Sequence, residues 1–185
     1  LEWQPYEKLI IDVQGYYTRT YDLVTQAGDL EADDDGSVST ASFLNTGYGR
    51  SYGMELLIKH APTDYFYGWI AYTLARSELA GFDFIKGDAG AAGNTGDLVL
   101  SPFDQTHILS VVGSVKLGRG WETGLRLRLV SGNPFTPTVG GRFSGDTNGF
   151  SPITGAIRSK RLPAFFQLDA RVEKKWTFDS WLLTL

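Results

Sequence analysis

Residues Gly120 to Pro137, GWETGLRLRLVSGNPFTP, contain a run in which leucine and arginine alternate without a break, Leu125-Arg126-Leu127-Arg128-Leu129. In an extended strand successive side chains point to opposite faces. Trp121, Thr123, Leu125, Leu127 and Leu129 therefore share one wall, and Glu122, Gly124, Arg126 and Arg128 share the other. A helix would spread both sets around its circumference and bury arginine, so the periodicity selects a strand. What remains to be settled is the solvent that each wall meets.

The same alternation recurs along the chain. Leu9, Ile11, Val13, Gly15 and Tyr17 oppose Asp12, Gln14, Tyr16 and Thr18; Tyr52, Met54, Leu56 and Ile58 oppose Ser51, Gly53, Glu55 and Lys59. Ile70, Tyr72 and Leu74 oppose Ala71, Thr73 and Ala75. Leu109, Val111, Val115 and Leu117 oppose Ser110, Ser114 and Lys116, with Val112 out of pattern. Phe166, Leu168, Ala170 and Val172 oppose Gln167, Asp169, Arg171 and Glu173. Leu1 to Gln4 reads as the tail of an earlier strand, and Trp181 to Leu185 as the start of a later one. Complete runs span about 10 to 13 residues, long against a usual strand of about 5 to 6. Roughly 9 to 11 tilted residues cross a bilayer, so length favours a membrane-spanning sheet.

Connections alternate between long and short. Long polar segments lie at about 22–47, 77–106 and 132–164, and short ones at Ala61 to Tyr65, Gly118 to Gly120 and Thr177 to Ser180. Outer-membrane barrels place short turns on the periplasmic side and long loops outside. Trp3, Trp69, Trp121, Trp176 and Trp181 all fall near short turns, while Tyr17, Tyr21, Tyr48 and Tyr52 lie toward the other end. Amphipathic rings collect at both membrane interfaces in this way.

Arginine facing lipid near the midplane costs roughly 2 to 4 kcal/mol, so the leucine wall is expected to meet lipid and the arginine wall the lumen. Arg19, Arg50, Arg76 and Lys174 have lipid parity but lie near strand ends. There the penalty falls to about 0 to 1 kcal/mol. The expected fold is all-β: an antiparallel up-and-down meander of about six full strands and two partial end strands, part of a transmembrane outer-membrane barrel.

Composition narrows the alternatives. The chain has 185 residues, no cysteine, 22 glycines and 14% aromatic residues, which suits a turn-rich β protein and leaves no disulfide or thiolate metal site. Its net charge of −4 argues against a nucleic-acid partner. No run approaches the roughly 18 apolar residues of a transmembrane helix.

Several of these runs resemble a known family. GYGRSYGMELLIK (Gly47 to Lys59), GWIAYTLARSE (Gly68 to Glu78), SPFDQTHILSVVGSVKLGRGWETGLRLRLVSGNPFTP (Ser101 to Pro137) and RLPAFFQLDARVEKKWTF (Arg161 to Phe178) look like the C-terminal β-barrel of TonB-dependent outer-membrane receptors. The resemblance covers residues 1–185. It implies a barrel of about 22 strands closed around an N-terminal plug. It also implies uptake of a scarce ligand such as a siderophore, cobalamin or glycan, powered by the TonB complex, in the outer membrane of a Gram-negative bacterium. The chain has no plug segment, so the resemblance makes it a fragment of such a receptor. The plug, the remaining strands and a TonB-contacting N-terminal region would lie outside it, with lipid and lipopolysaccharide as surroundings. Two alternatives stay open: a structural or adhesive barrel without transport, and a soluble lipid-binding barrel with its apolar wall inside.

Candidate functional residues follow from the walls and loops. The lumen-facing candidates are Glu55, Lys59, Glu122, Arg126, Arg128, Asp169, Arg171 and Glu173, joined by Asp12, Lys116 and Lys175. Their nearly balanced signs suit hydrogen-bonded ladders to neighbours and a plug, whereas an ion filter would show one dominant sign. Asp33 and Asp35, in the acidic first loop, are loop ligand candidates whose spacing echoes a calcium loop without its closing glutamate. Phe135 and Arg142 are candidates in the third long loop, which is basic through Arg142, Arg158, Lys160 and Arg161. Catalysis has little support. Asp104 and His107 could pair, with Ser101 or Ser110 nearby, but the resemblance, in which PFDQTH is a recurring strand entry, implies a capping or girdle role. No cofactor is expected.

Overall fold

The computed structural model describes residues 1–26, 43–80, 97–145 and 148–185. In chain order its strands are β1 (Glu2–Tyr6), β2 (Leu9–Gln26), β3 (Phe43–His60), β4 (Phe66–Ala80), β5 (Val99–Leu100), β6 (His107–Gly118) and β7 (Trp121–Val130). They are followed by β8 (Pro134–Phe135), β9 (Thr138–Ser144), β10 (Gly149–Thr154), β11 (Lys160–Arg161), β12 (Phe165–Thr177) and β13 (Leu182–Thr184). One antiparallel sheet runs in the order β1-β2-β3-β4-β6-β7-β12-β13, with β5 added to the edge of β4. Six long strands flanked by two short ones form the expected meander. Its outer strands β1 and β13 do not pair with each other, so the sheet is open.

Register confirms the two walls. Trp3, Ile11, Ile58, Ile70, Val111, Leu127 and Leu168 are directly opposed in one unbroken row across β1, β2, β3, β4, β6, β7 and β12. Val13, Leu56, Tyr72, Leu109, Leu129 and Phe166 form a second row on the same face. Arg126 opposes Asp169, and Arg128 opposes Gln167, on the other. A one-residue slip in any pair would carry charge onto the apolar face, so the alternation itself holds the register.

The rows are oblique to the strand ends. Ile11 lies two residues from the short-turn end of β2, whereas Leu168 lies nine residues before the short-turn end of β12. This stagger is the shear that tilted barrel strands require.

Among the described residues almost nothing covers the apolar face. Among the described residues the buried hydrophobic side chains are Ala80 and Val130, while Leu125, Leu168 and Val172 are more than half exposed. The chain exposes 13137 Å². A compact monomer of this mass would expose about 8,800 Å².

Strands reach further toward the long connections than alternation suggests. β2 and β3 stay paired out to Gln26 and Phe43, beyond the expected limits of the 22–47 segment, through register shifts on either side of Leu23. Asp22 there has φ 55. Each shift breaks the two-residue period, so this pairing is invisible to a parity reading past Tyr21. The third long connection also contains a hairpin, β9 with β10, in which Phe143 and Phe150 meet edge to face at 5.4 Å. Neither strand shows a clean alternation, because both are exposed on both faces.

The turn between β6 and β7 is set by backbone geometry. Arg119 and Gly120 have φ 51 and 80, the sign pattern of a type I′ hairpin turn, and Gly118 has φ 84. A Cβ on Gly120 would sit 2.1 Å from the Lys175 carbonyl oxygen, so glycine is needed there for space as well as for φ.

Candidate functional site

On the polar face the eight lumen candidates fall into two groups. Glu55 and Lys59 are exposed on β3, beside Gln14 and Thr73 and beside Ile10 and Trp69 respectively. The other six lie on β7 and β12. Between the groups β4 presents Tyr67, Trp69, Ala71 and Thr73, none of them charged. Trp69 thus shares the short-turn end with the other tryptophans but sits on the polar face, opposite Lys59 and Val112.

The β7–β12 group is organised around Glu122. Ser114 on β6 donates its hydroxyl hydrogen to Glu122 Oε1 at 2.8 Å; both residues are buried, at 2% and 7% exposure. Arg171 and Lys175 on β12 donate to the two oxygens of Glu122 at 3.4 and 3.2 Å. Arg171 also pairs with Glu173 at 2.8 Å. Ser114 carries no charge and was missed as a site residue, though its hydroxyl is what fixes the carboxylate. Arg126 and Arg128 are exposed above this cluster, and Gln167 donates to both oxygens of Asp169 at 3.2 and 3.0 Å.

A second polar centre lies at the long-loop end. The ladder of β4 passes from β6 to β5 around Ser77, with Ala75 donating to the Thr106 carbonyl and Ser101 donating to the Ser77 carbonyl. Asp104 fills the gap: its Oδ1 accepts the Ser77 amide at 2.7 Å. Its Oδ2 accepts from the Thr106 hydroxyl at 2.9 Å and from Arg161 at 2.6 Å. Asp104 is 1% exposed, and Arg161 also donates from Nη1 to the Asp104 and Gly132 carbonyls and from Nη2 to the Thr106 hydroxyl oxygen. Gly132 must be glycine for that approach, since a Cβ there would lie 1.9 Å from the Leu162 carbonyl oxygen. Asp104 is visible in sequence as the acid of a short polar run before a strand. Arg161 carries no local signal, being 57 residues away.

This arrangement answers the catalytic grouping. Asp104 is committed to Ser77, Thr106 and Arg161. His107 turns instead to the Tyr72 hydroxyl, 2.8 Å from Nδ1, and Ser101 Oγ accepts the Phe103 amide. No nucleophile, base and acid converge there.

The loop candidates are scattered. Asp33 and Asp35 lie outside the described residues. Phe135 is paired with Lys160 in the β8–β11 bridge and is 39% exposed. Arg142 is exposed on β9 opposite Ser151. Of the other basic residues in that loop, Arg161 is spent on Asp104, and Arg158 donates to the Leu100 carbonyl. Burial holds the Arg158 guanidinium below its ordinary pKa. Among the described residues no group of three or more histidine or carboxylate side chains is placed to hold a metal.

The family described as TonB dependent receptor-like, beta-barrel, matches the chain over residues 1–185. No curated protein and no solved structure matches it.

Proposed function

This chain belongs to the TonB-dependent receptor-like β-barrel family, an outer-membrane transport family of Gram-negative bacteria, and from that premise we propose that it forms part of the wall of an active uptake receptor. The carrying observation is the apolar face, which runs across seven strands and which almost none of the described residues covers. Patches on soluble monomers rarely exceed a few hundred Å², so a face of this extent needs a hydrocarbon solvent. Lipid outside and a polar passage inside follow together, because alternate side chains cannot share a wall.

In this reading the long connections face the exterior and capture a scarce small ligand, such as a siderophore, cobalamin or glycan. A plug domain fills the barrel that neighbouring strands complete at β1 and β13. The TonB complex pulls on the plug, and the ligand passes along the wall that carries Glu55, Lys59, Arg126, Arg128 and Asp169. The Glu122 cluster, already internally paired, acts as wall structure at the short-turn, periplasmic end. Asp33, Asp35, Phe135 and Arg142 are the loop positions for ligand contact.

The test is a matched pair in the intact receptor. Leu127→Arg places a guanidinium on the apolar face and is expected to abolish outer-membrane assembly, at a cost of about 2–4 kcal/mol. Arg128→Leu, one residue away on the polar face, is expected to assemble normally. Equal behaviour of the two variants in membrane fractionation would overturn the reading. Transport is checked by growth of a deletion strain on limiting iron, cobalamin or glycan; unchanged growth on every such nutrient would favour a structural or adhesive barrel.

A further inference from the structure

The asparagines of the chain are Asn45, Asn94, Asn133 and Asn148, and the residues that follow them are Thr46, Thr95, Pro134 and Gly149. An asparagine side chain can close on the backbone nitrogen of the next residue, and the nature of that residue decides whether it does. Proline has no N–H to lose, so Asn133 cannot react in this way; its carboxamide also accepts from Gln105 at 3.5 Å. A β-branched threonine crowds the closing ring, and Asn45 is held within β3 as well. Asn94 lies outside the described residues. Asn148 alone is followed by a residue with no side chain.

The hairpin of the third long connection leaves Asn148 open to this reaction. It belongs to the turn between β9 and β10, is exposed, and has φ 48, a left-handed conformation that asparagine tolerates better than most residues. Gly149 has no positive φ, so backbone conformation does not require glycine there. Among the described residues none holds the Asn148 carboxamide by a hydrogen bond. Gly149 pairs with Ser144 as the rung nearest the turn, in a two-stranded sheet that no other strand joins. Such a hairpin is marginally stable in water, and terminal rungs open at free energies near zero. Opening lets the Gly149 amide turn toward the side chain before it.

We infer that Asn148–Gly149 is a site of spontaneous deamidation at the tip of the β9–β10 hairpin. The Gly149 backbone nitrogen gives up its proton and attacks Cγ of Asn148. The N–Cγ bond forms, the Cγ–Nδ2 bond breaks, and Nδ2 leaves as ammonia with that proton. Water then opens the cyclic imide at either carbonyl and yields aspartate or isoaspartate. Both products add a carboxylate to a connection that carries exposed Arg142 and Lys160. Isoaspartate also lengthens the backbone before Gly149, which shifts that residue from Ser144 and disturbs the Phe143–Phe150 contact one rung away. The loop is thus altered by age and alkalinity without an enzyme. The inference needs only water at the hairpin tip and does not rest on transport.

The test follows the intact receptor in vesicles over time, in neutral and mildly alkaline buffer made with heavy-oxygen water. Peptides are read by mass spectrometry, and isoaspartate is counted by enzymatic methylation. Asn148 should convert about tenfold faster than Asn45, a ratio equivalent to about 1.4 kcal/mol of activation free energy. Conversion should be faster in the alkaline buffer, with isoaspartate among the products, and Asn133 should keep its amide. Gly149→Val, a residue suited to a strand, should slow Asn148 to the rate of Asn45. Conversion at Asn148 no faster than at Asn45, or aspartate without isoaspartate, would overturn the site. An unchanged rate in assembled Gly149→Val receptor would overturn it too. Should that variant fail to assemble, the ratio of Asn148 to Asn45 in the unaltered receptor decides.

Discussion

At the short-turn end of the sheet, strands are joined by backbone geometry and aromatic contact. Gly118, Arg119 and Gly120 all have positive φ, Lys174 sits over Trp121 and Trp176, and Phe178 stacks on Trp181 with ring centres 3.9 Å apart. One buried carboxylate, Glu122, supplements them on the polar face, held by Ser114, Arg171 and Lys175. At the long-loop end the work falls mainly to buried charge. Asp104 and Glu78 are 1% and 4% exposed; Arg161 from a distant part of the chain holds the first, and Arg50 of the neighbouring strand with Arg76 of the same strand holds the second. The difference follows from what each end connects. A turn of two or three residues is already closed, and needs only a permitted φ and a ring at the interface. A long loop must be tied at its base, and a carboxylate that accepts several hydrogen bonds specifies that tie more narrowly than apolar contact does.

Substitutions at the two ends test this contrast. Arg161→Ala is expected to have the largest effect, because it leaves the buried Asp104 carboxylate without its cation. The loss should be about 3–5 kcal/mol, seen as a collapse of folded, heat-modifiable receptor. Adding Asp104→Asn should recover a large part of it, and no recovery would show that the centre is not electrostatic. At the other end, Gly120→Ala should cost about 1–3 kcal/mol in denaturant unfolding from lipid vesicles. Gly118→Ala has the same sign of φ but no atom within 4 Å of the new Cβ, so it should cost less. A larger effect at Gly118 would mean that crowding against Lys175 does not govern the turn. The smallest effect is expected at Glu173, whose partner Arg171 is half exposed. Glu173→Gln should change stability by less than about 1 kcal/mol, in contrast to the buried carboxylates. A large loss there would place the polar wall with the long-loop end, as a part that depends on its charges.

How much of the molecule was legible in advance depends on the range of the signal. The wall assignment came from neighbours in sequence: Leu127 and Arg128 must face apart in any strand. Register bears this out, with Leu127 opposite Leu168 and Arg128 opposite Gln167. The extensions of β2 and β3 were not legible, because the shifts near Asp22 reverse parity at the point where both faces leave the apolar slab. The Glu122 cluster was only partly so. Its charged members were marked by alternation, while Ser114 was one small polar residue among several until β6 set it against the carboxylate.

The sequence by itself determined which side chains share a wall, the succession of long and short connections, and the aromatic and charged ends of each strand. These are consequences of a two-residue period that needs no knowledge of neighbours. Only the tertiary structure decided which residues stand opposite one another: Arg19 against Arg50, Asp104 against Arg161, and a row of apolar side chains that climbs from one end of β2 toward the other end of β12. Hydrogen bonding between strands sets those pairings, and it joins residues dozens of positions apart.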